Sequence, residues 1–236
     1  MTRQLLNNID HQDLTVAIRH GAAFGDSVNQ LMVFPTEFED VQREFPILFT
    51  RDGEGALKAV ALLGLDRDEN LFLGEQGWES RYIPAIQQRG PFSIGMQRGD
   101  SPELMIHVDT ADPRVGAEDG LPLFLPHGGN APYLEHIARV LRTIYAGLEL
   151  TGAMFAAFEE AGLLQPVDVE IMLSDTERYD LNGYFTLAQE RLAELDGATL
   201  ERLNREGLLN LAFLAIASLA NVNRLIELKN RRRGAE

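Results

Sequence analysis

Residues 130–148 read NAPYLEHIARVLRTIYAGL, and here the hydrophobic period of the chain changes. Leu134, Ile137, Leu141, Ile144 and Leu148 recur at three- and four-residue intervals, the spacing that puts side chains on one face of an α-helix. Asn130 is placed to cap that helix, and Pro132 is tolerated in its first turn, where no intrahelical N–H bond is lost. The same face continues through Met154, Phe155 and Phe158 towards Gly162, with a kink or interruption expected near Gly152.

Upstream, the pattern is different. Short apolar or alternating runs predict strands over 13–19, 30–34, 47–50, 58–65, 70–73, 80–83, 91–96 and 104–108. Glycine, proline or charged turn residues separate them. One short helix interrupts the series: Thr36 and Glu39 fit a capping box, Phe38, Val41 and Phe45 share a side, and Pro46 ends it. Residues 110–130, with four glycines and three prolines, read as a long connection. Downstream, Val167, Val169, Ile171 and Leu173 alternate strictly and Arg178–Phe185 follows a turn, which predicts a β-hairpin. Helices over 186–195 and 199–228 then close the chain, the last with a wide apolar face and a basic end.

The expected fold is therefore α+β. A β-rich N-terminal half of short antiparallel strands (about 1–109) precedes the connection (110–130) and a helical C-terminal half with an inserted β-hairpin (131–236). No flexible linker separates the halves, so 1–236 reads as one α+β domain.

Composition removes several classes of function. A formal net charge of −15 argues against a nucleic-acid surface, which needs an excess of Lys and Arg. The chain has no cysteine, so disulfides, thiolate metal sites and cysteine nucleophiles are excluded. Only Lys58 and Lys229 could form a Schiff base; the other 19 basic residues are arginine. The opening MTRQLLNNIDHQDL lacks the apolar core of a signal peptide, and the apolar run 208–220 is shorter than a bilayer span. A soluble, cytoplasmic chain without a transmembrane segment is expected.

Several motifs suggest chemistry, each beside a plainer reading. His107 and Asp109 end a strand as an HxD pair, which in non-haem iron oxygenases supplies two of three metal ligands. His127 and His136 follow too soon for the barrel such a site needs, so the plainer reading is an edge histidine beside a turn aspartate. Asp66, Asp68 and Asn70 imitate the start of a calcium loop, but Leu71 and Gly77 stand where glycine and a bidentate glutamate belong. No nucleotide-binding glycine motif or nucleophile elbow is present. No catalytic residue and no cofactor is assigned.

The stretch 60–92 holds the only tryptophan. Trp78, Tyr82, Arg89 and Phe92 form an aromatic and guanidinium set that could stack a ligand; the plainer reading is the core of a small sheet with an arginine packed over it. The C-terminal helix could join two copies of the chain, or bury its apolar face in its own domain.

A series of short segments in order resembles the SapC-like family of bacterial proteins. It runs from DHQDLTV (10–16), PTEF (35–38) and FPI (45–47) through ALLGL (61–65), NLF (70–72), Gly77-Trp78, YIPA (82–85) and RGPF (89–92). LPLF (121–124), NGYF (182–185) and SLAN (218–221) sustain it, so the resemblance spans nearly the whole chain. Asp109 fits the family's strand-end pattern, whereas His107 departs from it. The family takes its name from a component associated with a bacterial surface layer. Its relatives tend to be encoded near outer-membrane TonB-dependent receptors and flavin-dependent halogenase-like proteins, so the resemblance implies an accessory role in nutrient uptake or substrate modification. A soluble, non-enzymatic accessory protein that binds a protein or peptide is the expectation. An iron oxygenase using His107 and Asp109 and a structural surface-layer component are the alternatives.

Overall fold

The strand and helix periods are realised in an α+β fold, seen in a computed structural model that describes residues 3–96, 104–174 and 177–235. In chain order the elements are β1 (Arg3–Leu5), β2 (Thr15–Val16), β3 (Gln30–Val33), α1 (Phe38–Val41), β4 (Ile47–Arg51) and β5 (Leu57–Leu62). Then come β6 (Leu73–Gly74), β7 (Gly77–Trp78), α2 (Ala85–Gln88), β8 (Phe92–Met96), β9 (Leu104–Asp109), β10 (Leu121–Pro122) and α3 (Pro132–Glu160). The chain closes with β11 (Leu164–Ser174), β12 (Glu177–Leu187), α4 (Gln189–Ala193), α5 (Gly197–Arg205), α6 (Leu208–Ser218) and α7 (Val222–Ala235).

These elements group into two compact units, each made of two separate stretches of chain. The first takes residues 1–20 and 85–145. It holds the antiparallel sheet β1-β9-β8, the pair β10-β2 and the first half of α3. Its core gathers Val16, Phe92, Val108 and Leu123 around Leu134, Ile137 and Leu141 of α3.

The second unit takes residues 21–84 and 146–236. Its sheet has the order β11-β12-β4-β5-β3, antiparallel throughout, with β6-β7 as a separate small hairpin. The C-terminal hairpin thus extends the sheet begun by the early strands, through Tyr184 opposite Thr50 and Phe185 opposite Phe49. Phe38, Val41, Phe45, Phe49, Met154 and Phe158 are all buried in its core, where helix residues meet strand residues.

α3 runs unbroken through Gly152, and its stripe passes through Gly147 rather than Leu148, which is 53% exposed. A Cβ on Gly147 would stand 2.4 Å from Cβ of Phe34 and 2.6 Å from Oγ1 of Thr36. Only glycine lets the helix backbone come this close, so that position faces inward and its neighbour turns out. The helix begins one residue later than the Asn130 cap implies: the carbonyl of buried Ala131 accepts from Glu135 N at 3.1 Å.

Other boundaries moved for local reasons. The run 70–73 is mostly turn, because Asn70 is buried and its side chain accepts from Phe72 N and donates to the carbonyl of Asp26. Residues 80–83 are irregular, and β7 forms earlier, at Gly77–Trp78. At the short helix the reciprocal carboxylate is Glu37, which accepts from Phe34 N at 3.0 Å, in place of the Thr36–Glu39 box. The final helix is divided: Gly207 takes φ 74°, in the left-handed region, and breaks it between α5 and α6. A 3₁₀ turn (Leu219–Asn221) joins α6 to α7.

By length and composition, Leu208–Gly234 is a helical stretch long and apolar enough to cross a membrane. In this fold its Leu208, Leu211, Ala212, Ala215 and Leu225 are buried in the core of the second unit.

Candidate functional site

The second unit brings the tryptophan hairpin and the C-terminal helix together. Trp78, half-buried at the end of β7, donates Nε1–H to Oδ1 of Asp26 at 2.9 Å. Asp26 is fully buried, and its other oxygen accepts from Gly21 N. The indole meets Phe45 edge-on at 6.5 Å, and Phe45 meets Phe72 at 4.6 Å. The ring is therefore held on one side by a buried carboxylate and on another by a packed aromatic.

The loop after Trp78 is pinned by two buried glutamates of the α1 segment. Glu44 Oε1 accepts from the backbone N–H of Arg81 at 2.7 Å and of Tyr82 at 3.0 Å. Its other oxygen pairs with Arg224 of α7 at 3.2 Å, and the same guanidinium lies 5.3 Å above the Phe72 ring. Tyr82 donates its hydroxyl to Glu37 at 2.6 Å. Burial first, and then the charge and hydrogen bond of Glu37, push the Tyr82 phenol far above its ordinary range, so it remains a protonated donor.

Two clefts open on either side of Glu79. The smaller, of about 490 Å³, lies among Asp40 and Arg43 of the α1 segment, Arg81 and Tyr82 of the loop, and Arg224 of α7. The larger, of about 850 Å³, has Leu71, Leu73 and Leu228 as its apolar part. Asp68, Glu69, Glu75 and Glu79 form its acidic rim, and Arg231 and Arg232 of α7 its basic one. Arg232 is fixed by the carbonyls of Asn70 (2.9 Å) and Leu73 (2.6 Å).

The acidic turn that imitates a calcium loop has a structural use. Lys229 donates to Asp66 at 2.6 Å and Glu69 at 2.7 Å, and stands 5.6 Å from the centre of the Tyr179 ring. Burial is the largest single influence on this ammonium and acts to lower its proton affinity. The hydrogen bonds and charges of Asp66 and Glu69 together outweigh it, so the pKa is raised and Lys229 stays charged.

The aromatic set drawn from the sequence is divided between the units. Trp78 and Tyr82 belong to the second; Arg89 and Phe92 belong to the first. Phe92 is fully buried in the first core, edge-on to Tyr133 at 6.2 Å, with no face left for a ligand. Arg89 is half-buried beside it and donates Nη1–H to the Phe92 carbonyl at 2.8 Å.

His107 and Asp109 lie on β9, as their strand pattern predicts. The His107 ring packs over Gly95, whose Cβ would stand 2.9 Å from Cε1, and Asp109 accepts from Ala111 N at 3.2 Å. Among the described residues no three His, Asp or Glu side chains gather as a metal site would require.

Sequence reading did not single out Arg81, Arg224, Glu37, Glu44 or Asp26 as parts of one site. The one sequence signal for the two arginines is the choice of arginine over lysine, since guanidinium heads stack on rings and bind carboxylates through a planar fork. None of the curated proteins or solved structures compared with the chain matches it. The family model described as SapC matches residues 6–225, all but the two ends of the sequence, and the chain belongs to the SapC family.

Proposed function

We propose that this SapC-family chain is a non-enzymatic accessory protein that binds a protein or peptide partner in the paired clefts beside Trp78. The observation that carries this reading is the convergence of the 78–82 loop with α7. Both clefts are lined from one side by the loop and its hairpin and from the other by the helix. The loop is pre-organised: Asp26, Glu37 and Glu44 hold Trp78, Arg81 and Tyr82 before any ligand arrives. Rigid sites lose less conformational entropy on binding than mobile ones. Apolar leucines with acidic and basic groups around them suit an extended polypeptide, which presents both side chains and backbone polar groups. The family resemblance supports a role auxiliary to outer-membrane nutrient uptake or to a substrate-modifying enzyme.

The test combines capture with mapping. A photo-crosslinking residue at exposed position 75 is expected to trap the partner, whereas one at exposed Asp10 is not. Arg81→Glu combined with Arg231→Glu is expected to weaken capture about tenfold or more while the circular dichroism spectrum stays unchanged. A partner retained equally by that variant, or trapped equally from position 10, would place binding outside the clefts.

A further inference from the structure

We infer that the first unit carries a binding site for an oxyanion, the carboxylate or phosphate group of a small ligand, formed by Arg89 with Arg114 and Arg3. This site is independent of the paired clefts, and neither reading depends on the other.

The inference rests on missing counter-charge. Arg89 follows α2, directly before Gly90, where the chain turns back with φ 52° into β8. Its Nη1 is satisfied by the Phe92 carbonyl, but its Nε is buried and has no acceptor among the described residues. No carboxylate pairs with this guanidinium there either. A desolvated cation with an unmet donor is costly to keep, and an arriving oxyanion supplies both the charge and the acceptor.

The surroundings add positive charge. Arg114 reaches over the same turn, its Nη1 3.7 Å from where a Cβ on Gly90 would stand. Burial lowers the proton affinity of Arg89, and the charges of Arg3 and Arg114 lower it further. The neighbouring carboxylates are engaged. Asp112 binds Arg114 bidentately, at 2.9 Å through Nε and 2.7 Å through Nη2. Asp109, opposite Arg3 in the β1–β9 ladder, turns one oxygen to the N–H of Ala111. Among the described residues, Asp112 is thus committed to Arg114 and no carboxylate pairs with Arg89, inside a chain whose net charge is −15.

The residue type defines the ligand class. Guanidinium presents a planar fork of donors that matches carboxylate and phosphate oxygens, and it stays charged in a desolvated setting where an ammonium would lose its proton. Tyr133, edge-on to Phe92 and within reach of the charges of Arg114 and Asp112, stays a protonated phenol because burial raises its pKa.

The test titrates the full-length protein with inorganic phosphate and, separately, with succinate, to roughly 50 mM. Sodium chloride at matched ionic strength is the control, and calorimetry and thermal unfolding are the readouts. One anion or both should bind saturably and raise the unfolding temperature beyond the chloride control. Phosphate alone would indicate a phosphorylated ligand, and succinate alone a carboxylate. Arg89→Gln is expected to weaken binding about tenfold or more. Arg3→Gln, at an exposed position that leaves the fold intact, should weaken it several-fold. The site is overturned if neither anion exceeds the chloride control, or if Arg3→Gln and Arg89→Gln both bind as the wild type does.

Discussion

Arg224 in the second unit and Arg89 in the first are both arginines beside buried phenylalanine rings, yet their surroundings differ in one decisive respect. Arg224 has a buried carboxylate, Glu44, and lies over Phe72. Among the described residues Arg89 has a backbone carbonyl, an Nε without an acceptor and no carboxylate, and the charges of Arg3 and Arg114 act against its own. The paired arginine closes a structural network; the unpaired one leaves charge to be answered from outside. A half-buried cation is informative through what it lacks more than through where it lies.

Removing the counter-charge in the second unit is the strongest way to break that comparison. Glu44→Ala strips Arg224 of its carboxylate and leaves two backbone donors, Arg81 N and Tyr82 N, without their acceptor. A loss of about 2–4 kcal/mol in unfolding free energy is expected, because two backbone donors lose their acceptor while Arg224, 39% exposed, keeps access to water. Urea denaturation followed by fluorescence measures it, since Trp78 is the only tryptophan and reports on this loop. A loss below about 1 kcal/mol would mean that Glu44 is held no better than a surface carboxylate.

Exchanging the arginines themselves sharpens the contrast. Arg224→Met should cost about 1–3 kcal/mol, because Glu44 then keeps a buried charge with fewer donors. Arg89→Met, in buffer free of phosphate and carboxylates, should leave the unfolding temperature unchanged or raised, because methionine keeps much of the packing and discards an unpaired charge. Equal destabilisation by both variants would erase the distinction between the two regions.

The smallest expected effect is a difference in pH response. Tyr82 and Lys229 have folded pKa values raised above their unfolded ones. Their stabilising contributions are complete below the unfolded values, about 10 and 10.4, and are lost as pH rises beyond them. Asp112 is the reverse. The hydrogen bond from Arg114 holds its carboxyl below the usual range against the opposing effect of burial. Its contribution is complete above about pH 4 and is lost as pH falls through the depressed value. Trp78 fluorescence should therefore change first on the alkaline side, and amide exchange around residues 112–114 on the acid side. The opposite order would contradict these assignments.

Much of the fold was legible because it depends on local period. The strands at 30–33, 47–51, 57–62, 92–96 and 104–109 fall where alternation or apolar runs placed them, and so do α3 and the β11–β12 hairpin. Reading failed where one residue serves a distant partner. Asn70 looks like part of a strand, but its amide is committed to Asp26, 44 residues away in sequence. Leu148 fits the helical stripe, but Gly147 occupies the inward position because the Phe34–Thr36 turn lies against it. For the candidate site, sequence singled out Tyr82 and the C-terminal helix, which line the clefts, and Trp78, which directly precedes Glu79. It also joined Trp78 and Tyr82 with Arg89 and Phe92, since nearness along the chain was the only nearness it could show.

By itself, then, the sequence determined the α+β class, the family and the absence of thiol chemistry, all of which follow from residue type and short-range order. The tertiary structure alone decided that the chain forms two discontinuous units and that the early strands share a sheet with the late hairpin. It also decided that the loop after Trp78 and α7 line one cleft, while Arg114 reaches over the turn that follows Arg89. The physical reason is that counter-charge and burial are properties of a place in three dimensions. A glutamate at 44 and an arginine at 224 carry no mark of each other until packing removes the water between them.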